Sequence, residues 1–95
     1  MTTLEILIAA RELITQPEKW WNGVVDQRTT ENNCMVSSVA RAGAQDENEC
    51  ANALGRVRAV TGQYLISKWN DSHTHAEVLA KMDEAIMLER SSLVQ

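Results

Sequence analysis

The sequence predicts an all-α protein: a single small domain of about four helices, with a long tryptophan-containing loop after the first helix. Apolar residues recur at helical spacing along almost the whole chain. No stretch shows the strict alternation of apolar and polar residues that a half-buried strand needs. Ninety-five residues supply one hydrophobic core, and 44% hydrophobic with 23% charged residues is typical of a soluble globular protein. We therefore expect one helical domain over residues 1–95.

Charge and hydropathy restrict the classes of partner. A net charge of -4 disfavours nucleic-acid binding by broad phosphate neutralisation, which needs clustered Lys and Arg. No apolar run approaches the ~20 residues that cross a bilayer, and the first residues lack the basic segment of a secretion signal. We expect a cytoplasmic protein without membrane contact, in which Cys34 and Cys50 are free thiols in or near the core.

The first helix begins with a capping pattern. Thr2 and Glu5 have the S/T-x-x-E spacing, and the helix is expected to end near Thr15 because Pro17 disfavours helical geometry in Gln16. Two adjacent apolar stripes predict a central position for this helix. They consist of Leu4, Leu7, Ile8 and Ile14, and of Ile6, Ala10 and Leu13.

A polar connector follows, over residues 16–33. Asn22-Gly23 is a turn signal, and Val24-Val25 could form a short extended piece of a hairpin. The connector is long for a plain linker in a compact domain. We expect its tryptophans to fold it back onto the helices.

Two helices are predicted in the middle of the chain. Asn32 or Asn33 can cap a second helix from Cys34 to Ala42, which Gly43 then stops. A third helix is expected after a cap at Asp46. It should run to about Thr61 and stop at Gly62.

The last helix begins with a second capping box. Thr74 and Glu77 have the S/T-x-x-E spacing immediately before a run of apolar residues at helical spacing. That run contains Val78, Leu79, Met82, Ala85, Ile86 and Leu93. Met87-Leu88 lies off the main apolar face, so self-association into a homodimer through this pair is a further expectation.

Two segments carry a family resemblance. They are C-M-V-S-S-V-A-R-A, Cys34 to Ala42, and W-N-D-S-H-T-H-A-E-V-L-A-K-M-D-E-A-I, Trp69 to Ile86. With the N-terminal helix and the Trp-containing connector, the chain resembles over most of its length the small bacterial and phage proteins of domain-of-unknown-function family 6197. It departs at Ser37-Ser38, where the family usually has Gly-Ala. The resemblance implies an all-helical fold and a phage or bacterial setting, and it supplies no reaction.

A catalytic interpretation uses four residues. Cys34 in the first turn of a helix would be the nucleophile, His73 or His75 the base, and Asp71 the residue that orients the base. The types fit a small hydrolase, but no oxyanion-hole loop is visible and a buried structural cysteine is the commoner case. The same residues could ligate a metal, yet the His73-x-His75 spacing is weak for that role. We expect no cofactor and no metal.

The tryptophans support a different interpretation. Trp20 and Trp21 are candidate partner-binding residues, because tryptophan near loops is often a binding hot spot. Trp69, Asn70 and Asp71 are predicted to form a structural clasp: Trp69 and one of the connector tryptophans are buried, and Asn70 or Asp71 hydrogen-bonds to the connector.

The resulting prediction is a non-catalytic protein-interaction domain. Within that class we expect a phage or mobile-element accessory protein that binds and inhibits a host protein or defence complex, since a small acidic domain can cover a basic surface. The partner is a protein that the sequence does not identify. The alternative is a small hydrolase or metal-dependent enzyme that uses Cys34 with Asp71, His73 and His75.

Overall fold

A computed structural model describes residues 1–93, and within them the protein is built from helices alone. These are α1 (Thr3–Leu13), α2 (Met35–Ala42), α3 (Glu47–Thr61), α4 (Ile66–Asp71) and α5 (His75–Leu93). The connector contains two 3-10 turns, Pro17–Lys19 and Val25–Gln27. The all-α prediction is confirmed.

Capping boxes start the first and last helices, as the spacing predicted. Glu5 N donates to Thr2 Oγ1 at 3.1 Å, and Thr2 N donates to Glu5 Oε1 at 2.8 Å. In the same way, Glu77 N donates to Thr74 Oγ1 at 3.2 Å, and Thr74 N donates to Glu77 Oε1 at 2.8 Å. Each box satisfies two backbone N–H groups that a helix start leaves unpaired.

The central helix is α1, which packs against α2, α3 and α5. Its side of the core consists of Ile6, Leu7 and Ala10, continued by Ile14 just after the helix, all without solvent exposure. The other helices contribute Met35, Val39, Ala53, Val57, Ile66, Trp69, Val78, Met82, Ala85 and Ile86. Burial of this apolar surface is the main stabilising contribution, at about 25 cal/mol per Å² removed from water.

The middle helix caps differ from the sequence expectation. Cys34, and neither Asn32 nor Asn33, occupies the N-cap of α2. Asp46 holds the N-cap position of α3 without a side-chain capping hydrogen bond. Gly62 ends α3 in the left-handed conformation, with φ 68°, and its N–H donates to the carbonyl of Arg58. That stop agrees with the prediction.

Two features of the chain were not predicted. Val25 begins a 3-10 turn, so the hairpin interpretation of Val24-Val25 is wrong. The segment from Ile66 to Asp71 forms α4, a helix of 6 residues that precedes the predicted last helix. A helix this short has less than two turns of periodicity, and its formation depends on packing.

Candidate functional site

The side chain of Asn70 lies at the centre of the contacts between the connector and the helices. Its Oδ1 accepts hydrogen bonds from Trp20 Nε1 at 2.8 Å and from the backbone N of Met35 at 3.1 Å. Its Nδ2 donates to the carbonyl of Trp21 and to Asp71 Oδ1, both at 3.0 Å. Asn70 is fully buried, and these bonds use both donors and both acceptor positions of its amide. One side chain thus joins the connector, α2 and α4.

Backbone hydrogen bonds close the connector on itself. Trp21 N donates to the carbonyl of Asn33, and Asn33 N donates to the carbonyl of Lys19, both at 2.9 Å. The two bonds form an isolated parallel bridge between Trp20 and Asn33. The connector is therefore a closed surface loop of the Ω type, held at its base by its own backbone and by Asn70.

Two tryptophans pack against the two histidines. Trp69 is 8% exposed and stacks on His73 with ring centroids 3.7 Å apart. Trp20 is half-buried and stacks on His75 at 5.4 Å. His73 Nδ1 donates to the carbonyl of Trp69, and His75 Nε2 donates to that of Ile14, both at 2.6 Å. A carbonyl only accepts, so each of these ring nitrogens carries a proton.

Cys34 takes part in a capping pair with Ser37. Cys34 N donates to Ser37 Oγ at 2.9 Å, and Ser37 N donates to Cys34 Sγ at 3.4 Å. The described hydrogen bonds of His73, His75 and Asp71 go to other groups, so they do not bring the predicted catalytic residues together. Ser37 is one of the positions where the chain departs from the resembled pattern, and it serves here as a helix cap.

No set of three or more His, Cys, Asp and Glu side chains within residues 1–93 is arranged to hold a metal ion. Both cysteines are free thiols, Cys34 buried and Cys50 half-buried. In the same range, no helix combines the length and apolar character needed to cross a membrane.

The outer part of the connector exposes apolar side chains. Val24 and Val25 are 45% and 80% exposed. Trp21 is half-buried, its Nε1 donates to the carbonyl of Val24 at 2.7 Å, and the guanidinium of Arg28 lies 4.7 Å from its ring centroid. The Val24-Val25 exposure was missed because burial depends on how the loop folds back. Partner binding by Trp20 and Trp21 stays a prediction.

Asp71 lies against the turn at Gly23. Gly23 has φ 90°, and any side chain at this position would overlap the Asp71 carboxyl group. On the same turn, Asn22 Oδ1 accepts a hydrogen bond from Val24 N at 3.1 Å. The outer edge of α4 and the connector turn are therefore in direct contact. That Trp69, Asn70 and Asp71 act together as a clasp stays a prediction.

Asn33 presents an unusual buried amide. It is 1% exposed, and among the described residues neither Nδ2 nor Oδ1 has a hydrogen-bond partner. Most buried polar side chains are hydrogen-bonded. Without such bonds, the Asn33 amide does not stabilise the fold as the Asn70 amide does.

The comparison with protein families found one matching family model. The family model described as "Family of unknown function (DUF6197)" matches residues 1–88. The chain belongs to this family. The match includes the residues that hydrogen-bond to the Asn70 side chain, and it confirms the resemblance seen in the Cys34 and W-N-D segments. No curated protein and no solved structure matches the chain.

The last helix has a separate exposed apolar position. Met87 is 66% exposed and Leu88 is half-buried. Self-association through this pair stays a prediction.

Proposed function

We propose that this protein is a non-catalytic protein-interaction domain and that the outer connector, residues 21–28, is its binding surface. The observation that carries the proposal is the exposure of Val24 and Val25 on a loop fixed from beneath by the buried Asn70. A loop held in one conformation loses little conformational entropy on binding, so its apolar contacts contribute more to affinity. Trp21 supplies an aromatic edge to the same surface.

Charge indicates the chemistry of the partner. The exposed Asp26 follows Val25 in the chain, Asp71 lies against Gly23, and the net charge of the protein is -4. The one cation among residues 21–28 of this surface, Arg28, lies over the ring of Trp21. We therefore propose a protein partner whose apolar patch is bordered by basic side chains, because opposite charges steer association and exclude other partners.

The cysteine and histidine contacts support a structural role for these residues. The Cys34 thiol accepts the Ser37 N–H at a helix start, and both His73 and His75 donate to backbone carbonyls. Two free thiols fit a reducing compartment, so we place the protein in the cytoplasm within this proposal.

The narrower role we propose is that of a phage or mobile-element accessory protein that inhibits a host protein or defence complex. The small size and acidic charge of the domain support this role, because such a domain can cover a basic surface without chemistry of its own.

The test compares two variants at exposed positions. A Val24→Ser, Val25→Ser double variant removes the apolar connector surface, and Tyr64→Ser changes another exposed residue, 76% exposed, outside the connector. Each tagged protein is checked by circular dichroism and used to capture partners from lysate of the native cells. The affinity of each protein for the purified partner is then measured by calorimetry.

We expect the double variant to lose the partner and Tyr64→Ser to keep it. At about 1–3 kcal/mol for the buried valine pair, the affinity should fall by roughly five- to 150-fold. Equal binding by all three proteins, or no partner for the wild type, would contradict the proposal.

A further inference from the structure

The connector turn brings an amide, a backbone nitrogen and a carboxylate into one place. Asn22 is followed by Gly23. Because Gly23 has no side chain to shield its backbone nitrogen, this nitrogen can attack a neighbouring group. Within residues 1–93 the Gly23 N–H has no described acceptor. The side-chain amide carbon of Asn22, Cγ, is the electrophile that the Gly23 nitrogen can attack.

We propose that Asn22-Gly23 is a self-modification site, at which the Asn22 side chain deamidates through a cyclic imide with the help of Asp71. The proposal does not depend on the proposed interaction function. It rests on the hydrogen bond within the turn and on the position of the Asp71 carboxylate.

The turn activates the Asn22 amide. Val24 N donates to Asn22 Oδ1 at 3.1 Å, which bends the side chain back along the following peptide. When the Gly23 nitrogen attacks Cγ, negative charge develops on Oδ1. A backbone N–H already aimed at that oxygen stabilises the charge, as in the oxyanion holes of acyl-transfer enzymes.

Asp71 supplies a proton acceptor close to the backbone of Gly23. Its carboxyl group occupies the space that a side chain at Gly23 would need. Oδ1 of Asp71 is held by Asn70 Nδ2 at 3.0 Å, and Oδ2 has no described hydrogen bond within residues 1–93. The Gly23 N–H makes no described hydrogen bond to this carboxylate, so the proton passes to it through one water.

The reaction balances without an oxidant or cofactor. The Gly23 N–H proton passes through one water to Asp71, and a bond forms between Gly23 N and Asn22 Cγ. The bond from Cγ to the side-chain nitrogen breaks, and the proton leaves with that nitrogen as ammonia. Water then opens the imide at either carbonyl and produces aspartate or isoaspartate at position 22.

The product changes the connector. It places a new carboxylate beside Asp71, and the two like charges repel each other. In the isoaspartate form an additional methylene enters the main chain between Trp21 and Gly23. We expect the turn to separate from Asp71 after modification.

The test follows the reaction in the folded wild-type protein by peptide mapping and mass spectrometry, which separates asparagine, aspartate and isoaspartate at position 22. Ammonia release is measured in parallel. Asp71→Ala removes the proton acceptor. Val24→Pro removes the N–H donor at a residue whose φ of -74° suits proline. Asp26→Ala is the matched control, an exposed connector acid.

We expect Asp71→Ala to slow deamidation in the folded protein by roughly tenfold or more, a modest effect for a positioned proton acceptor. Val24→Pro should also slow it, and Asp26→Ala should not. In urea all four proteins should react at one rate, because only the fold brings Asp71 to Gly23.

The direction of the change separates the proposal from a structural role. If Asp71 only held the turn in place, its removal would loosen the turn and leave deamidation unchanged or faster. Either result overturns the proposal. So does a folded wild-type protein that stays unmodified while the urea-unfolded chain deamidates.

Discussion

The indole Nε1 of Trp20 donates to Oδ1 of Asn70 at 2.8 Å, across 50 positions of the chain. The same oxygen accepts the backbone N–H of Met35, at the start of α2. The connector, the second helix and the W-N-D segment therefore share one acceptor atom. Its loss would leave two donors without a partner.

We predict that Asn70→Ala destabilises the fold much more than Asn33→Ala. Removal of the Asn70 amide leaves Trp20 Nε1 and the Met35 N–H without their acceptor, at about 1–3 kcal/mol for each buried group. Asn33 is equally buried, but its amide has no described partner to lose. The free energies of unfolding are measured by urea titration. Equal losses would contradict the role of Asn70 as the joining residue.

Trp69 tests the predicted clasp. Trp69→Ala removes an almost fully buried ring and its stacking on His73, so we expect a loss of about 3–5 kcal/mol and a lower Tm. Trp21→Ala is the control, because Trp21 is only half-buried and its removal should lower the free energy of unfolding by clearly less. An unchanged Tm for Trp69→Ala would show that the clasp is wrong.

The two glycines with positive φ should respond differently to alanine. Gly23→Ala suffers both the unfavourable backbone conformation, at φ 90°, and overlap with the Asp71 carboxyl group. Gly62→Ala suffers only the conformation, about 1 kcal/mol, because the space around Gly62 is open. Thermal unfolding of the two variants should give the larger fall in Tm for Gly23→Ala. The reverse order would show that Asp71 does not pack on this turn.

The thiol of Cys34 is predicted to be replaceable by a hydroxyl. Serine is a preferred N-cap residue, so Cys34→Ser should keep the stability of the wild type within about 1 kcal/mol. Cys34→Ala removes the acceptor of the Ser37 N–H and should cost about 1 kcal/mol more than Cys34→Ser. Chemical denaturation of both variants measures the difference. A stable alanine variant would show that the cap contributes little.

The capping glutamate of α5 should make stability depend on pH. The Thr74 backbone N–H, and then its hydroxyl, lower the pKa of Glu77 from its ordinary value. The pKa of Glu77 is lower in the folded state than in the unfolded state. The stabilising contribution of its carboxylate is therefore present at pH values above the ordinary glutamate pKa, and it is lost as the pH falls through the folded-state pKa. The unfolding free energy of Glu77→Gln should therefore differ from wild type at neutral pH, and the two should converge in acid. Glu12→Gln, which neutralises an exposed glutamate outside the caps, is the matched control for the loss of one carboxylate.

The helix starts at Thr2 and Thr74 and the stop at Gly62 were predicted because their signals are local. A capping box is completed within four residues, and a left-handed C-cap needs only a glycine in the right place. The family resemblance was likewise readable from the Cys34 and Trp69 segments.

The connector contacts required the tertiary structure. The W-N-D segment pointed to the residues involved, but Asn70 and Asp71 were alternatives, and the saturation of the Asn70 amide was not foreseen. The sequence allowed Val24 and Val25 to form a short extended piece of a hairpin, whereas they lie exposed at a 3-10 turn. Short apolar pairs carry too little periodicity to distinguish these outcomes.

The sequence by itself determined the all-α class, most helix boundaries and the family, because hydrophobic periodicity and capping act over a few neighbouring residues. Only the tertiary structure decided that Asn70 joins Trp20 to Met35, that Asp71 lies on Gly23 and that α4 forms at all. These contacts join positions far apart in the chain. Their geometry depends on how α1, α2 and α5 pack around the core, which no local pattern encodes.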